Sequence, residues 1–562
     1  MGDVLDHAVG IDVERQGYRG TAARARLRGL PDTRALVIAI DGRPLTHAYD
    51  GAVDLSQIPL NSLERIEITR GGAPVSYGPG AAGVVNLVTS RPGRHNWMVD
   101  LETGIGRRGV RQHNGRFFDR FEFGDATYIG GLQESGGFSL HDQAELTTHF
   151  ANFTRSYGKG GYWGLEYSYA GGFADTSDGT VTPYDQWNGQ LERRPVNSTG
   201  RQDQIIQTAR LLGASPLIAG GTFYADVTRS LANADLLVAQ DSTTITDVDR
   251  DSTESRLRWD SGHVSLGVEE NEFSRHLAGA VRRDASQAGA FAQGRYQLGK
   301  IGLEEGVRYD RHSRVGGGFA ARFSGTYRPV PVAVFSTSIQ RSARFPTFDE
   351  LYPASGPPAS VRPESVSDVD VGAVYEADGV RVGLTGFDTQ VERAIGVDPV
   401  SATVGNLGED RSRGVELEGG STFGSGAWRE THVTANVTVR KAKRKDAGSP
   451  TFSDAPMSSH LLAGGQVDLL LPAKVTMTNE LRYQSEQFEF TGRAGRKLPP
   501  FVTWNLRFTV AIHTAVLYLA AENLGGKKYA EGFGDPALAP VAGLAPQPPR
   551  TFWTGISVRF LE

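Results

Sequence analysis

From about Arg94 to the end of the chain, apolar and polar residues alternate with a period of two. In Gly161–Ala170, Trp163, Leu165, Tyr167 and Tyr169 alternate with Tyr162, Gly164, Glu166 and Ser168. In Thr431–Arg440, Val433, Ala435, Val437 and Val439 alternate with polar neighbours, and Thr551–Phe560 repeats the pattern with Phe552, Ile556, Val558 and Phe560. A period of two is strand geometry, with one face apolar and the other carrying charges and hydroxyls. The stretch Leu36–Arg91 reads differently. Two short apolar strands, Leu36–Ile40 and Ile66–Thr69, flank a Gly- and Pro-punctuated loop, and a third strand, Val84–Thr89, comes after a glycine-rich passage. Ahead of it, Leu5–Val13 predicts a turn of helix leading into a strand, Gln16–Gly20 a turn-rich loop, and Ala25–Leu27 a further extended piece. Asp41-Gly42, directly after a strand, is a tight-turn signal.

A soluble sandwich also alternates, with its apolar face inward, but it ends near about 100 residues. Here the pattern runs from residue 94 to 562 without a linker or a shift in charge. Separate soluble β domains would each need protected edges, whereas a closed barrel has none, and closure is what lipid demands of a β protein. At roughly 20 residues per strand and connection, the region holds about 22 strands. So wide a barrel has a lumen that is either plugged or open. The expected fold is an all-β transmembrane barrel of about 22 antiparallel strands (residues 94–562), with a small N-terminal α+β plug domain (residues 1–93) inside the lumen.

Composition narrows the alternatives. The longest purely apolar runs, such as Leu36–Ile40, fall far short of a membrane helix, which excludes a helical membrane protein but not a barrel. The 562 residues contain no cysteine, so there is no disulfide framework, thiolate metal site or cysteine nucleophile. The net charge of −5, spread along the chain, gives no footprint for nucleic acid. The twelve histidines include no H-x-x-x-H pair for zinc.

Gly71, Gly72, Gly78, Gly80 and Gly83 fall close together, and Gly78–Gly83 has the G-x-G-x-x-G spacing of a dinucleotide fingerprint. The next residues, Val84–Thr89, are a β-branched run that predicts a strand, so no helix N-terminus is available to hold a pyrophosphate. The cluster instead predicts a backbone that turns tightly and packs closely against another surface.

Several segments then resemble the TonB-dependent outer-membrane receptors, in particular the cobalamin-receptor-like and siderophore-receptor-like branch. Leu36–Asp41-Gly42 resembles the family's strand ending in IDG, and Val53–Pro59 its DL-x-x-IP helix. Leu63–Ile68 with Arg70-Gly71-Gly72 resembles the IERIEV…RG segment, and Ser76–Thr89 the signature YG-x-x-A-x-GGVINI-x-T. In the barrel, Phe345–Tyr352, Arg362–Ser365, Gly414–Glu418 and Ala521–Tyr529 are similar to further family landmarks, in the expected order. Three departures stand out. The N-terminus has neither a signal peptide nor a TonB box nor the first strands of a usual plug, which raises the expectation of sequence upstream. Gly71-Gly72 replaces Gly-Pro, and the chain ends Phe560-Leu561-Glu562 instead of on the aromatic residue.

The resemblance implies a monomeric receptor in the bacterial outer membrane, surrounded by lipid, that takes up cobalamin or an iron–siderophore. TonB and its inner-membrane energising complex would drive it by pairing with a short N-terminal strand. No bond is made or broken, so no catalytic residue or cofactor is expected. The alternative is an uncoupled outer-membrane barrel with a passive or adhesive role. Ligand contacts are expected on two plug loops facing outward, from Gln16, Tyr18 and Arg19 in one and Arg43, His47 and Tyr49 in the other. The resemblance also makes Arg28 and Arg70, each before a glycine at a plug strand end, partners of wall glutamates; Glu416 and Glu418, on the lumen-facing phase of their strand, are the candidates. Asp175, Asp178 and Asp185 lie in an oxygen-rich loop that could hold Ca2+, although an acidic solvated loop has the same composition and no EF-hand spacing is present.

Overall fold

The computed structural model describes residues 2–15, 19–31, 35–45, 53–58, 60–80, 82–90, 96–137, 141–158, 160–175, 200–218, 220–237, 245–277, 281–353, 359–397, 403–425, 428–446, 448–533, 544–548 and 550–561. The first ninety residues form a small mixed unit. After a one-turn helix, Gly2–Leu5, strands β1 (Ile11–Arg15) and β2 (Ala23–Leu27) pair as an antiparallel hairpin. Strands β3 (Leu36–Ile40), β4 (Arg43–Pro44), β5 (Leu63–Arg70) and β6 (Gly83–Thr89) form a second sheet in the order β4-β3-β6-β5, with β3 and β6 parallel. The segment expected to be a DL-x-x-IP helix is a single 3₁₀ turn, Leu55–Gln57, capped by the Asp54 carboxylate.

The Asp41-Gly42 turn forms as expected. Both residues have left-handed backbone (φ 48° and 78°), the geometry of the tightest hairpin turns. Asp41 also ties the sheet together by accepting the Thr89 N–H at 3.0 Å and the Thr89 hydroxyl at 2.7 Å. Leu5, Ile11, Leu27, Leu36, Ile38, Leu55, Val85 and Leu87 fill the core between hairpin and sheet, and Val366 and Val391 of the surrounding wall extend it. The plug therefore has a core of its own that is continuous with the barrel.

Around it, 22 strands from Trp97–Gly106 to Thr551–Leu561 run antiparallel in chain order, with the two-residue strand Ser453–Asp454 added beside Trp428–Asp446. The last strand pairs with the first, from Trp553↔Gly106 to Leu561↔Met98, and closes the barrel. Turns at 122–123, 299–300, 331–332 and 378–379 join strands at one rim, and longer connections such as 345–363 and 485–500 lie at the other. Short turns on one rim and long loops on the other is the asymmetry of outer-membrane barrels, whose short turns face the periplasm.

The alternation read from the sequence sorts wall residues into lipid and lumen faces. On the strand Val404–Ser425, Val415 and Leu417 are 49% and 45% exposed on the outside, while Glu416 between them is 2% exposed. The apolar face thus points outward, the reverse of a soluble sandwich. Among the described residues no helix is long and apolar enough to cross a membrane.

Candidate functional site

Arg28 follows β2 with a left-handed backbone (φ 53°), and its N–H donates to the Gly10 carbonyl at 2.7 Å. This sharp turn aims a wholly buried side chain at the wall. Its Nε donates to Glu416 Oε1 at 3.1 Å, Nη2 to Glu416 Oε2 at 3.2 Å, and Nη1 to Asp370 Oδ1 at 2.8 Å. Asp368 Oδ2 lies 3.6 Å from Nη1, and the guanidinium carbon sits 4.1 Å from the centre of the Phe387 ring. Burial by itself would lower the proton affinity of Arg28; the carboxylates of Glu416, Asp370 and Asp368 outweigh it and hold the pKa above its ordinary value. Arg70, at the end of β5, extends the cluster from Nη1 to Glu416 Oε2 at 3.3 Å and from Nη2 to Glu418 Oε2 at 2.9 Å.

The four residues expected to meet are thus brought together. Asp368 and Asp370 are additions that the sequence pattern alone did not single out. Their signal was present in Ser367-Asp368-Val369-Asp370-Val371, where acids take the lumen phase and valines the lipid phase. Glycine makes the approach possible: a Cβ on Gly71 (φ 70°) would fall 1.1 Å from Asp370 Oδ2, and one on Gly10 (φ 78°) 2.2 Å from Glu416 Oε1.

Further pairs ring the plug. Arg440, buried in the wall, donates to Asp12 at 2.7 Å. Arg15 donates to Glu531 at 2.6 Å, and Arg482 joins the same carboxylate. Arg308 gathers Glu269 and Asp310 and donates to the Val75 carbonyl of the plug at 3.3 Å. The plug and wall partners are far apart in sequence, 428 positions for Asp12 and Arg440, 516 for Arg15 and Glu531 and 233 for Val75 and Arg308, and no local pattern pairs them.

Where the plug meets the wall near the long-loop rim, a cavity of about 110 Å³ opens. Arg43, Pro44, Tyr77 and Gly78 line it from the plug, and Arg256, Phe273 and His312 from the wall. Phe345 and Phe348 close it from the connection 345–363. Phe348 packs edge-on against Phe273 (centroids 5.2 Å, 82°), and His312 stacks on Phe345 (5.8 Å, 16°). Thr347 holds Phe348 in place by capping the one-turn helix Phe348–Leu351 reciprocally with Glu350. Arg344 anchors the same segment, with Nε to Glu364 at 2.6 Å and both Nη atoms to Glu350 at 2.9 and 3.0 Å.

Arg43 does not sit on an outward loop as expected. It belongs to β4, opposite Ile40, and is 7% exposed. The Asp41-Gly42 turn reverses the chain two residues earlier than a loop reading supposes. Burial lowers the Arg43 pKa, with Glu254 opposing the shift. Arg19 lies elsewhere, beside a separate crevice of about 770 Å³, where it pairs with Glu522 and sits 5.0 Å from the Trp553 ring centre. The structure therefore separates Arg19 from Arg43. Gln16, Tyr18, His47 and Tyr49 lie outside the described residues. So do Asp178 and Asp185; Asp175 accepts from the Gln143 N–H at 3.4 Å and lies 3.6 Å from His141 Nδ1. Among the described residues, no three His, Cys, Asp or Glu side chains are grouped to hold a metal ion.

A plug held inside a 22-stranded barrel by buried guanidinium–carboxylate contacts defines a class, and comparison with known proteins agrees with it. Residues 92–524 match the family model "TonB dependent receptor-like, beta-barrel", and residues 1–85 match "TonB-dependent Receptor Plug Domain". The chain belongs to the TonB-dependent receptor family, a family of outer-membrane receptors and transporters that implies TonB as a partner and a small molecule as ligand. It is 24% identical over 464 residues to the vitamin B12 transporter BtuB of Photobacterium profundum, covering 75% of this chain and 70% of that protein. The fold is similar to that of the FrpB iron transporter from Neisseria meningitidis (TM-score 0.81, 14% identity, 100% and 96% of the two chains). It is likewise similar to the copper transporter OprC (TM-score 0.81, 17% identity, 100% and 95%).

Proposed function

We propose that this chain imports a large, scarce ligand, a corrinoid or a ferric siderophore, across the outer membrane under the pull of TonB. The observation that carries the reading is the aromatic-lined cavity between plug and wall at the long-loop rim, because it gathers aromatic and polar side chains of both parts on the side opposite the short periplasmic turns. Tyr77 and Phe348 offer rigid apolar area to a ligand arm, and His312 and Arg43 offer polar groups that fix its orientation. Relatives support both ligand classes: the matching curated transporter carries vitamin B12, and solved structures of the same fold include the ferric citrate transporter FecA.

The plug–wall ion pairs complete the mechanism. They are strong in the resting state, yet each is a discrete contact that a directed pull exchanges for hydration as the plug shifts. Coupling rather than passive leakage is tested by uptake of radiolabelled cyanocobalamin and of 55Fe-siderophores in cells that carry this protein in the outer membrane, with and without TonB. The expected result is uptake that requires TonB and falls about tenfold or more when Tyr77 and Phe348 are both replaced by alanine. Uptake that persists without TonB would favour an uncoupled barrel.

A further inference from the structure

The connection between the last two barrel strands, at the long-loop rim, folds inward as a hairpin. Its two short strands, Tyr529–Phe533 and Leu544–Gln547, form a sheet of their own, apart from the barrel ladder. Leu498, Ala530 and Leu544, with Phe533 against them, join the hairpin to the connection 485–500. The Tyr529 ring packs on Phe501 with centroids 4.7 Å apart. Gly532 lies against the end of β1, where a Cβ would fall 2.7 Å from the Arg15 carbonyl oxygen.

At the centre of this contact four charges close a ring. Glu531 accepts from Arg15 at 2.6 Å and from Arg482 of the wall strand Val475–Gln484. Asp6 accepts from Arg15 and lies 3.2 Å from Arg482. All four side chains are at most 14% exposed. Asp6 and Arg15 belong to the plug, whereas Arg482 and Glu531 belong to the wall and the hairpin. That ownership sets the ring apart from the Arg28 cluster, where drawing the arginine away strands Glu416 and Asp370. Drawing β1 away splits the ring into two neutral pairs, one on each side. Parting buried charges is costly when it leaves one unpaired. This joint leaves none.

We propose that the hairpin of Tyr529–Phe533 and Leu544–Gln547 is a reversible strap on the plug, closed while β1 is seated and released when β1 moves. Tyr529, Glu531 and Gln547 line the crevice of about 770 Å³ beside Arg19, together with Arg15 and Glu522, so release widens that crevice on the long-loop side. Because the hairpin stands outside the barrel ladder, it moves without breaking a wall strand. The linkage runs both ways, since a contact that favours the seated plug favours the seated strap by the same free energy. The inference goes beyond the import reading and holds whichever ligand is carried.

The chain contains no cysteine, so two nitroxide labels are placed without background, through Arg24→Cys on the plug and Lys527→Cys two residues before the strap, both exposed positions. Pulsed dipolar spectroscopy on the full chain in detergent micelles reads the distance between them. Without further substitution, one narrow distance should dominate, with any longer component a minor state of about a tenth or less. Adding Asp6→Asn and Arg15→Gln together removes the neutral pair of the plug and should raise the longer component about threefold or more. Amide protection within Tyr529–Phe533 should persist. Arg15→Gln alone leaves an odd negative charge in the ring, so its urea midpoint should lie below that of the double variant. An unchanged distance in the folded double variant overturns the proposal. A midpoint for the double variant below that of Arg15→Gln overturns it too, because the parting line is then not neutral. Loss of amide protection within Tyr529–Phe533 does the same, since the hairpin then melts with the contact and does not swing as a strap.

Discussion

Arg28 of the plug and Glu416 of the barrel wall meet fork to fork, Nε to Oε1 at 3.1 Å and Nη2 to Oε2 at 3.2 Å, with the arginine fully buried and the glutamate 2% exposed. The two residues are 388 positions apart in the chain. Asp370 completes the acceptor set at 2.8 Å, and the stacked Phe387 ring shields the pair from water. An arginine so satisfied fixes the orientation of the plug as well as its attachment.

Replacing Arg28 with methionine should therefore leave Glu416, Asp368 and Asp370 as buried charges facing no cation at their centre. Breaking a buried pair from one side costs about 3–5 kcal/mol. The expected readout is faster amide exchange across β2 and β5 with unchanged exchange in the barrel strands. Arg28→Lys should recover part of the protection, because a point charge replaces the charge but not the two parallel bonds.

Arg70 is the outer arm of the cluster, with 21% of its side chain exposed and a half-exposed partner in Glu418. Water screens this pair, so Arg70→Ala should cost about 1 kcal/mol or less. Comparing the urea midpoints of plug unfolding for Arg28→Met and Arg70→Ala tests the ranking; equal losses would contradict it.

Gly71→Ala should be more disruptive than its size suggests. The backbone there is left-handed, and the added carbon would occupy the position of the Asp370 carboxylate. The plug must back away from the wall and lose the Arg28–Asp370 bond. A crystal structure or cross-linking between cysteines placed at Ser338 and Gly72 would register the retreat, while Gly42→Ala, with open space around it, should strain only its turn.

Asp54 gives a pH signature of the plug. Burial raises its pKa above the ordinary aspartate value, although the N–H groups of Ala23 and Ser56 pull the other way. A carboxyl whose folded pKa is raised favours the folded state below its unfolded pKa, and that contribution is lost as pH rises through the folded value. Asp54→Asn retains the acceptor oxygen without the charge. Its stability relative to wild type should thus rise between about pH 3 and pH 7, as measured by urea unfolding at both; a flat difference would refute the assignment.

On the opposite phase of the wall, Leu417→Arg places a charge in hydrocarbon and should cost about 2–4 kcal/mol if it lies near the midplane. The assay is the folded yield in lipid vesicles. The same substitution at a lumen-facing neighbour such as Thr385 should fold nearly normally.

Much of this was written locally. Alternation in Trp163–Tyr169 and Val433–Val439 gives strands with two faces, and its persistence over hundreds of residues leaves closure in a membrane as the solution. Asp41-Gly42 specifies its turn because few residue pairs tolerate two left-handed positions. The arginine-before-glycine steps at Arg28 and Arg70, with the family resemblance, pointed to the wall glutamates. Tertiary structure alone decided the rest. Asp368 and Asp370 became part of the Arg28 cluster through strand register, since barrel shear sets which lumen residues face one another. Arg43, expected on an exposed loop, was buried because β4 folds back on β3 and the wall closes over it. Arg19 and Arg43, expected to share an apex, were parted because the plug offers them different stretches of wall. A residue's type sets what it prefers over a few neighbours; which charges meet across hundreds of positions depends on how a closed barrel registers around its plug.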